Sequence, residues 1–338
     1  MWRAAIFAVV GCTQLPRAIA GEPLCTRGTC MGTTYAVTIV DQIDNSSFNE
    51  IANRINNELE RIEHVFSLYR PTSELSRFNE ASSSNWIDVS SDLLLVTKHA
   101  IELSRQTNGA FDPTIAPLIR LWRLHRASND WSPPTAAALA ESRKRVAFHL
   151  LELRNDPPAI RKRMTGVELD LNALVEGWAI DRVIDLLQQH GISNVLVELG
   201  GEFRAIGHKS EGQPWKIGIE NPFKPTSLYA TASLRNAALA TSGNYRQVIE
   251  YNGRRYGHIL DARTGEPVEH DLIAVSVLAI DATTADGWAT ALMTLGSSEG
   301  MALAEKKELA ASFALRAGHE LQIKLTTRAL SKIVLAEK

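Results

Sequence analysis

Apolar positions along this chain recur with two periods, and the switches between them mark out the elements. Thr33–Val40 alternates and is read as a strand. Ser47-Phe-Asn-Glu50 has the form of a capping box, and Ile51, Ile55, Leu59, Ile62 and Phe66 then share one helical stripe that must end before Pro71. A second helix is expected from Ser91 to Thr107, halted by Asn108-Gly109, and an alanine-rich one from Thr135 to Val146. Arg154–Arg163, with Pro157-Pro158, reads as turn. Val167, Leu169 and Leu171 alternate with Glu168 and Asp170 as a half-buried strand would. Leu174, Val175, Ile180, Val183, Leu186 and Leu187 then follow helical spacing up to Gly191, with Asn172 placed to cap the start.

The second half is richer in strands. Asn194–Gly207 is strand-like around Gly200-Gly201, and Trp215–Ile219 and Ala237–Thr241 alternate. Asn252-Gly253 joins Arg246–Tyr251 to Arg254–Leu260 as a hairpin, which puts His258 on the return strand. Ile273–Ile280 is a buried strand leading into a helix that carries Asp286. A helix near Glu299–Glu308 and strands Ala311–Leu315 and Glu320–Thr326 complete the set. Hairpins mixed with helices predict an α+β fold: mixed, largely antiparallel sheets with packed helices in a single compact unit, not a doubly wound sheet.

An apolar share of 45% over 338 residues is enough for one substantial core. The net charge of −2, with no basic cluster, gives no footprint for nucleic acid. Arg3, the apolar run Ala4–Val10 and Ala18-Ile19-Ala20 form a secretory leader of residues 1–20 with cleavage after Ala20. Val9-Val10-Gly11-Cys12 offers the alternative of a lipoprotein leader of residues 1–11 with Cys12 lipidated. Either places the protein in the periplasm or cell envelope, the second with a lipid anchor at the inner membrane. Residues 21–30 are then a short linker before a domain of residues 31–330. Both cleavages leave Cys25 and Cys30, as a short-loop disulfide, two thiols or half of a metal site.

Two places carry candidate chemistry. Asp170 stands where strand turns to helix, so backbone donors and a carboxylate face one ligand. Asp286 and Thr290, four apart, project a carboxylate and a hydroxyl from one helical face, an oxygen pair suited to a hard cation such as Mg²⁺. There is no Gly-x-Gly-x-x-Gly after a strand, and Gln213-Pro214 stands where a P-loop needs Lys-Ser/Thr. Ser242 lies in Thr-Ser-Gly, but a nucleophile there needs a base that spacing does not supply.

Eight loops come in a particular order: Met31-Gly-Thr-Thr-Tyr35; Phe66-Ser-Leu-Tyr-Arg-Pro-Thr-Ser-Glu-Leu-Ser-Arg-Phe-Asn79; Gly109-Ala-Phe-Asp-Pro-Thr114; Leu169-Asp-Leu followed by Glu176-Gly-Trp-Ala-Ile-Asp181; Leu199-Gly-Gly-Glu202; Thr241-Ser-Gly-Asn-Tyr245; His258-Ile-Leu-Asp261; and Ala285-Asp-Gly-Trp-Ala-Thr290. In these the chain resembles the ApbE family of FAD:protein FMN transferases, over about Met31 to Gly296. The resemblance implies a T-fold-like architecture and an envelope enzyme that moves FMN from FAD to a threonine hydroxyl of an acceptor flavoprotein in a membrane redox complex, releasing AMP. It implies Mg²⁺ held by Asp286, Thr290 and the carbonyl of Ala173. It places FAD at Met31, Tyr69, Ala110, Phe111, Asp112, Asp170, Glu176 and Ile259, with Asp112 and Asp170 as acceptors for adenine or ribose, and makes His258 the base. Glu176 stands where many members have lysine, and Ala262 where they have proline. Hydrolysis of FAD to FMN and AMP, or FAD binding without chemistry, are the competing readings.

Overall fold

The computed structural model describes residues 23–124, 131–224, 226–245 and 248–336. In chain order its elements are β1 (Leu24–Cys30), β2 (Thr33–Ile39), α1 (Asn45–Phe66), α2 (Glu74–Glu80), β3 (Trp86–Asp88), α3 (Ser91–Gln106), α4 (Ala116–Trp122), α5 (Ala136–Arg143), β4 (Leu151–Arg154) and β5 (Ala159–Lys162). Then come α6 (Asn172–Gln189), β6 (Val195–Leu199), β7 (Glu202–Ile206), β8 (Trp215–Glu220), β9 (Leu228–Leu234), β10 (Ala237–Gly243), β11 (Val248–Tyr251) and β12 (Arg254–Gly257). The chain ends with β13 (Leu260–Asp261), β14 (Glu266–Pro267), β15 (Leu272–Ala279), α7 (Ala282–Lys306), β16 (Ala310–Ala317), β17 (Glu320–Leu325) and β18 (Ile333–Leu335).

One antiparallel sheet of eight strands, in the order β1-β2-β6-β7-β10-β15-β16-β17, is the spine. Successive side chains leave a strand on opposite faces, and both faces here are covered. Val195, Val197, Ala238, Ala240, Val275, Val277 and Phe313 join the core formed with α1, α3, α6 and α7. Leu196, Phe203, Leu239, Ala274, Leu278 and Ala314 point the other way, onto the small sheet β18-β9-β8 and its Trp215, Ile217 and Ala232. A third cluster of Leu118, Trp122, Trp131, Tyr256 and Leu260 supports the β11–β12 hairpin and β13. Among the described residues no helix is long and apolar enough to cross a membrane.

Several expectations change. Residues 24–30 are not a linker but an edge strand paired along β2, and β18 extends the fold past residue 330. Cys25 and Cys30 do not bridge: five residues along one strand separate them by about 16 Å, and Cys30 is a buried free thiol. Arg154–Arg163 belongs to a hairpin, β4–β5, to which β3 adds a third strand. Residues 167–171 keep their alternating burial but join no ladder. The capping residue of α1 is Asp44, whose carboxylate accepts from Ser47 N at 2.9 Å, so the Ser47 box is already inside the helix. Asn172 does not cap α6; Asp170 accepts its N–H at 2.9 Å instead. The expected helix after Glu299 is the far half of α7, kinked at Gly296 (φ 77°). The leader, including Cys12 and Ala20, lies outside the described residues.

The contact between α6 and α7 sets the interior. A Cβ on Gly177 would lie 2.4 Å from the carbonyl oxygen of Ala282, a backbone atom that cannot swing away. One turn on, Asp181 accepts from Ala282 N (2.9 Å), Thr283 N (2.9 Å) and Thr283 Oγ1 (2.6 Å), and Arg204 of β7 neutralises it at 2.6 Å. Gly177→Ala is expected to cost about 1–3 kcal/mol or more through overpacking. Urea unfolding would show this as a lower midpoint at unchanged slope, and an unchanged midpoint would mean the helices are not held this closely.

Candidate active site

One end of the large sheet collects the turns that sequence singled out. Met31 (φ 49°) and Gly32 (φ 76°) close the β1–β2 hairpin, a two-residue turn with both residues left-handed. Gly200 N donates to Thr34 O at 3.1 Å, which brings the β6–β7 turn beside it. The register of β10 on β7 and β15 brings Ser242 and Gly243 to the same end. The starts of α6 and α7 cross over this rim.

Asp286, 4% exposed on α7, accepts from Gly177 N at 3.2 Å. One turn further, Thr290 Oγ1 is 2.9 Å from Ser242 Oγ. Ala173 sits in the first turn of α6, one turn before Gly177. Glu176 packs its carboxylate against Gly200, where a Cβ would come within 2.2 Å of Oε2. The structure therefore brings Ala173, Glu176, Asp286 and Thr290 into one neighbourhood through α6, α7 and the strand ends.

Sequence spacing did not single out two further acids there. Glu202, directly after the Gly200-Gly201 turn, is buried close to Asp286, while its Oε2 has no hydrogen-bond partner among the described residues. Glu198 accepts from Gly201 N at 2.9 Å. Burial first, and then mutual repulsion, raise these carboxyls: Glu176 rises to about 7, pushed also by Glu198, and Glu202 and Asp286 rise well above the usual range. Its own burial first, and then Glu63, Glu176 and Glu198, push the Cys30 thiol up to about 12, which leaves it protonated and inert. The signal in the sequence was Leu199-Gly-Gly-Glu202, an acid fixed by a diglycine turn, but nothing local says that its neighbours are acids too.

A buried focus of carboxylates with an orphaned oxygen fits a cation. Among the described residues no three His, Cys, Asp or Glu side chains form a ligand cluster. A metal here would thus rest on a mixed oxygen set, with the Asp286 carboxylate, the Thr290 hydroxyl and backbone carbonyl, and would suit a hard ion.

The other half of the site is loop. Asp170 N donates to Pro113 O at 2.7 Å, and Ala262 N to Ala110 O at 3.3 Å, so the 110–114 loop joins the start of α6 to the 258–262 segment. Ala110 and Phe111 are buried in it. Asp112 is already engaged by its own loop: Oδ1 takes Thr114 N (2.8 Å) and Oγ1 (2.6 Å), and Oδ2 takes Phe148 N (2.7 Å). It shapes the loop, beside a cleft of about 590 Å³ that Gly109, Phe148, Ala262 and Arg263 also line. His258 is not on the return strand but in the bend between β12 and β13, half-buried, and Ile259 O accepts from Val268 N at 3.0 Å. Tyr69 is 77% exposed, its ring open on the surface. Its neighbour Arg70 pairs with Glu63 of α1 at 3.2 Å.

Comparison with known proteins places this geometry. The fold is that of solved flavin transferases: the flavin transferase ApbE from Vibrio cholerae matches with a TM-score of 0.83 at 35% identity over 92% of this chain and 99% of that one. The flavinyl transferase ApbE of Pseudomonas stutzeri matches at 0.84 and 32% identity over 92% and 96%. In sequence, FAD:protein FMN transferases of Vibrio cholerae and Haemophilus influenzae are each 36% identical, over 90% of both chains and over 86% and 85%. The ApbE family model matches residues 31–313. This chain belongs to the ApbE family.

Glu176 predicts a pH dependence. Its carboxyl is raised from 4.5 to about 7 in the folded protein, so the folded state holds the proton more tightly than the unfolded chain. Its stabilising contribution is full below pH 4.5 and is lost as pH rises through about 7. Without divalent cation or FAD, Tm should fall by several degrees across that window, and Glu176→Gln should flatten the slope. An identical slope in the variant would assign the effect elsewhere.

Proposed function

We propose that this chain is a Mg²⁺-dependent FAD:protein FMN transferase acting in the cell envelope on threonine-bearing flavoprotein acceptors. The observation that carries this reading is the buried carboxylate focus at the α6–α7 crossing, set among the family's loops. A dianionic pyrophosphate would be repelled from such a place unless a cation lay between them. Bound by Asp286, Thr290 and the Ala173 carbonyl, Mg²⁺ would neutralise the pyrophosphate and stabilise charge developing on the leaving group.

The chain's own residues account for the rest. Gly177 N–H holds the Asp286 carboxylate in place, and Ser242 orients the Thr290 hydroxyl. Tyr69 offers an exposed ring for the flavin to stack on, and the loops at Met31, Ala110–Asp112, Asp170 and Ile259 enclose FAD. His258 takes the proton from the acceptor threonine as its oxygen bonds to the FMN phosphorus. The bond from that phosphorus to the bridging oxygen breaks, AMP leaves, and FMN remains as a phosphoester. Residues 1–20, read as a leader, support the envelope assignment, with lipidation at Cys12 as its variant.

The test is mass spectrometry of a threonine-bearing acceptor domain incubated with the protein, FAD and Mg²⁺. The expected result is a gain of one FMN per acceptor with equimolar AMP, abolished by EDTA. Free FMN with AMP and no gain would make the protein a hydrolase of FAD, and intact FAD would make it a binder. Asp286→Ala should lower kcat by about 10²-fold or more and raise the Mg²⁺ requirement. His258→Ala should lower kcat about 10²- to 10⁴-fold with FAD affinity nearly unchanged; equal loss of both would make His258 structural.

A further inference from the structure

The segment from Val167 to Leu171 enters the site with alternating burial and without a strand beside it. What replaces the strand is one side chain. Asn79, in the last turn of α2, accepts Leu169 N on Oδ1 at 2.7 Å and donates from Nδ2 to Leu169 O at 2.8 Å. This amide pairs both backbone groups of a single residue as a neighbouring strand would, and only one orientation of the amide satisfies both bonds. The next residue is Asp170, fixed by its own N–H to Pro113 O and by its carboxylate on Asn172 N.

Asn79 is itself held by an unusual group. Lys162 of β5 is fully buried, and its Nζ donates to Asn79 O at 3.0 Å and Ala81 O at 2.9 Å, 4.7 Å from the centre of the Phe78 ring. The ammonium thus closes the C-terminal end of α2, where carbonyls lack partners. Burial pushes its pKa down to about 8, with no carboxylate contributing. A buried lysine of this kind costs stability, and an apolar side chain of similar length would remove the cost.

We propose that Asn79, anchored by Lys162, is a positioning residue for FAD binding: it sets the backbone at Leu169 and through it the place of Asp170 and the first turn of α6. The inference rests on the functional reading above, in which Asp170 faces FAD. Lys162 and Asn79 touch no reacting group and act through the segment they hold.

The test is FAD affinity by flavin fluorescence titration, with circular dichroism and Tm on the same samples. Asn79→Asp keeps the size but sets an oxygen against Leu169 O. It should weaken FAD binding by about tenfold, and Lys162→Met by about threefold, within the range of coupling through a positioned segment. Lys162→Met leaves Asn79 itself intact and, by removing a buried charge, should hold or raise Tm while affinity falls, an outcome that a purely structural role does not give. In an Asp170→Ala background, Asn79→Asp should weaken binding by less than about twofold more, because the two act in series. Folded variants that bind FAD like the wild type, or an Asn79→Asp effect that persists in full without Asp170, would overturn the inference alone. Wild-type protein that binds no FAD would overturn the functional reading and this inference with it.

Discussion

Gly177 carries no side chain because the first turn of α7 passes directly over it, and the site is built on that contact. With the helices this close, the N–H of Gly177 reaches the Asp286 carboxylate, and Asp181 reaches across to tie the start of α7. A helix start has free N–H groups that need partners. Here one partner comes from the neighbouring helix, so satisfying the end of α7 also fixes its rotation about its axis. That rotation sends Asp286 toward α6 and Thr290 toward Ser242 at the sheet end.

The same closeness has an electrostatic cost. Arg204 balances Asp181 and Arg27 bears on Glu198, yet among the described residues no cation pairs with Glu176, Glu202 or Asp286. Their raised pKa values express that imbalance: the protein alone holds protons where a cation would be more effective. Stability is given up at one place, while the apolar layers on both faces of the sheet supply it elsewhere. In the proposed reading, a bound cation would relieve this imbalance by taking the place of the protons.

Much of the fold could be read from period and punctuation. The stripe of α1, the diglycine hairpin at Gly200-Gly201, the Asn252-Gly253 hairpin and the Asp286–Thr290 spacing are local facts, and the structure keeps them. The misreadings share a cause. Val167–Leu171 alternates because alternate side chains meet the core, and that pattern arises whether a strand or the side chain of Asn79 satisfies the backbone. Leu24–Cys30 is half-buried and short, so its pairing with β2 has little apolar signature. His258 was read as strand because the hairpin pattern continues through it, although pairing stops at Gly257. Glu198, Glu202 and Asp181 could not be found by spacing, since their proximity to Asp286 comes from sheet register and helix crossing. The three donors that Asp112 meets, on Thr114 and Phe148, are visible only in three dimensions.

The two halves of the site are made of different material, and the difference suits their tasks. The acidic half stands on α6, α7 and strand ends, where packing leaves little freedom, and charge chemistry needs fixed distances. The half at Met31, Tyr69, Ala110–Asp112 and His258 is loop, joined crosswise by single backbone bonds such as Asp170 to Pro113 and Ala262 to Ala110. Loops of this kind can admit a large planar ligand and then a second protein, which a helix crossing cannot. His258 sits at the junction: Leu260 and Tyr256 on either side are anchored in the cluster of Trp122 and Trp131, while the imidazole itself lies in the bend between them. A base of the kind proposed for His258 would need an anchored backbone, and the residues on either side of this bend supply it.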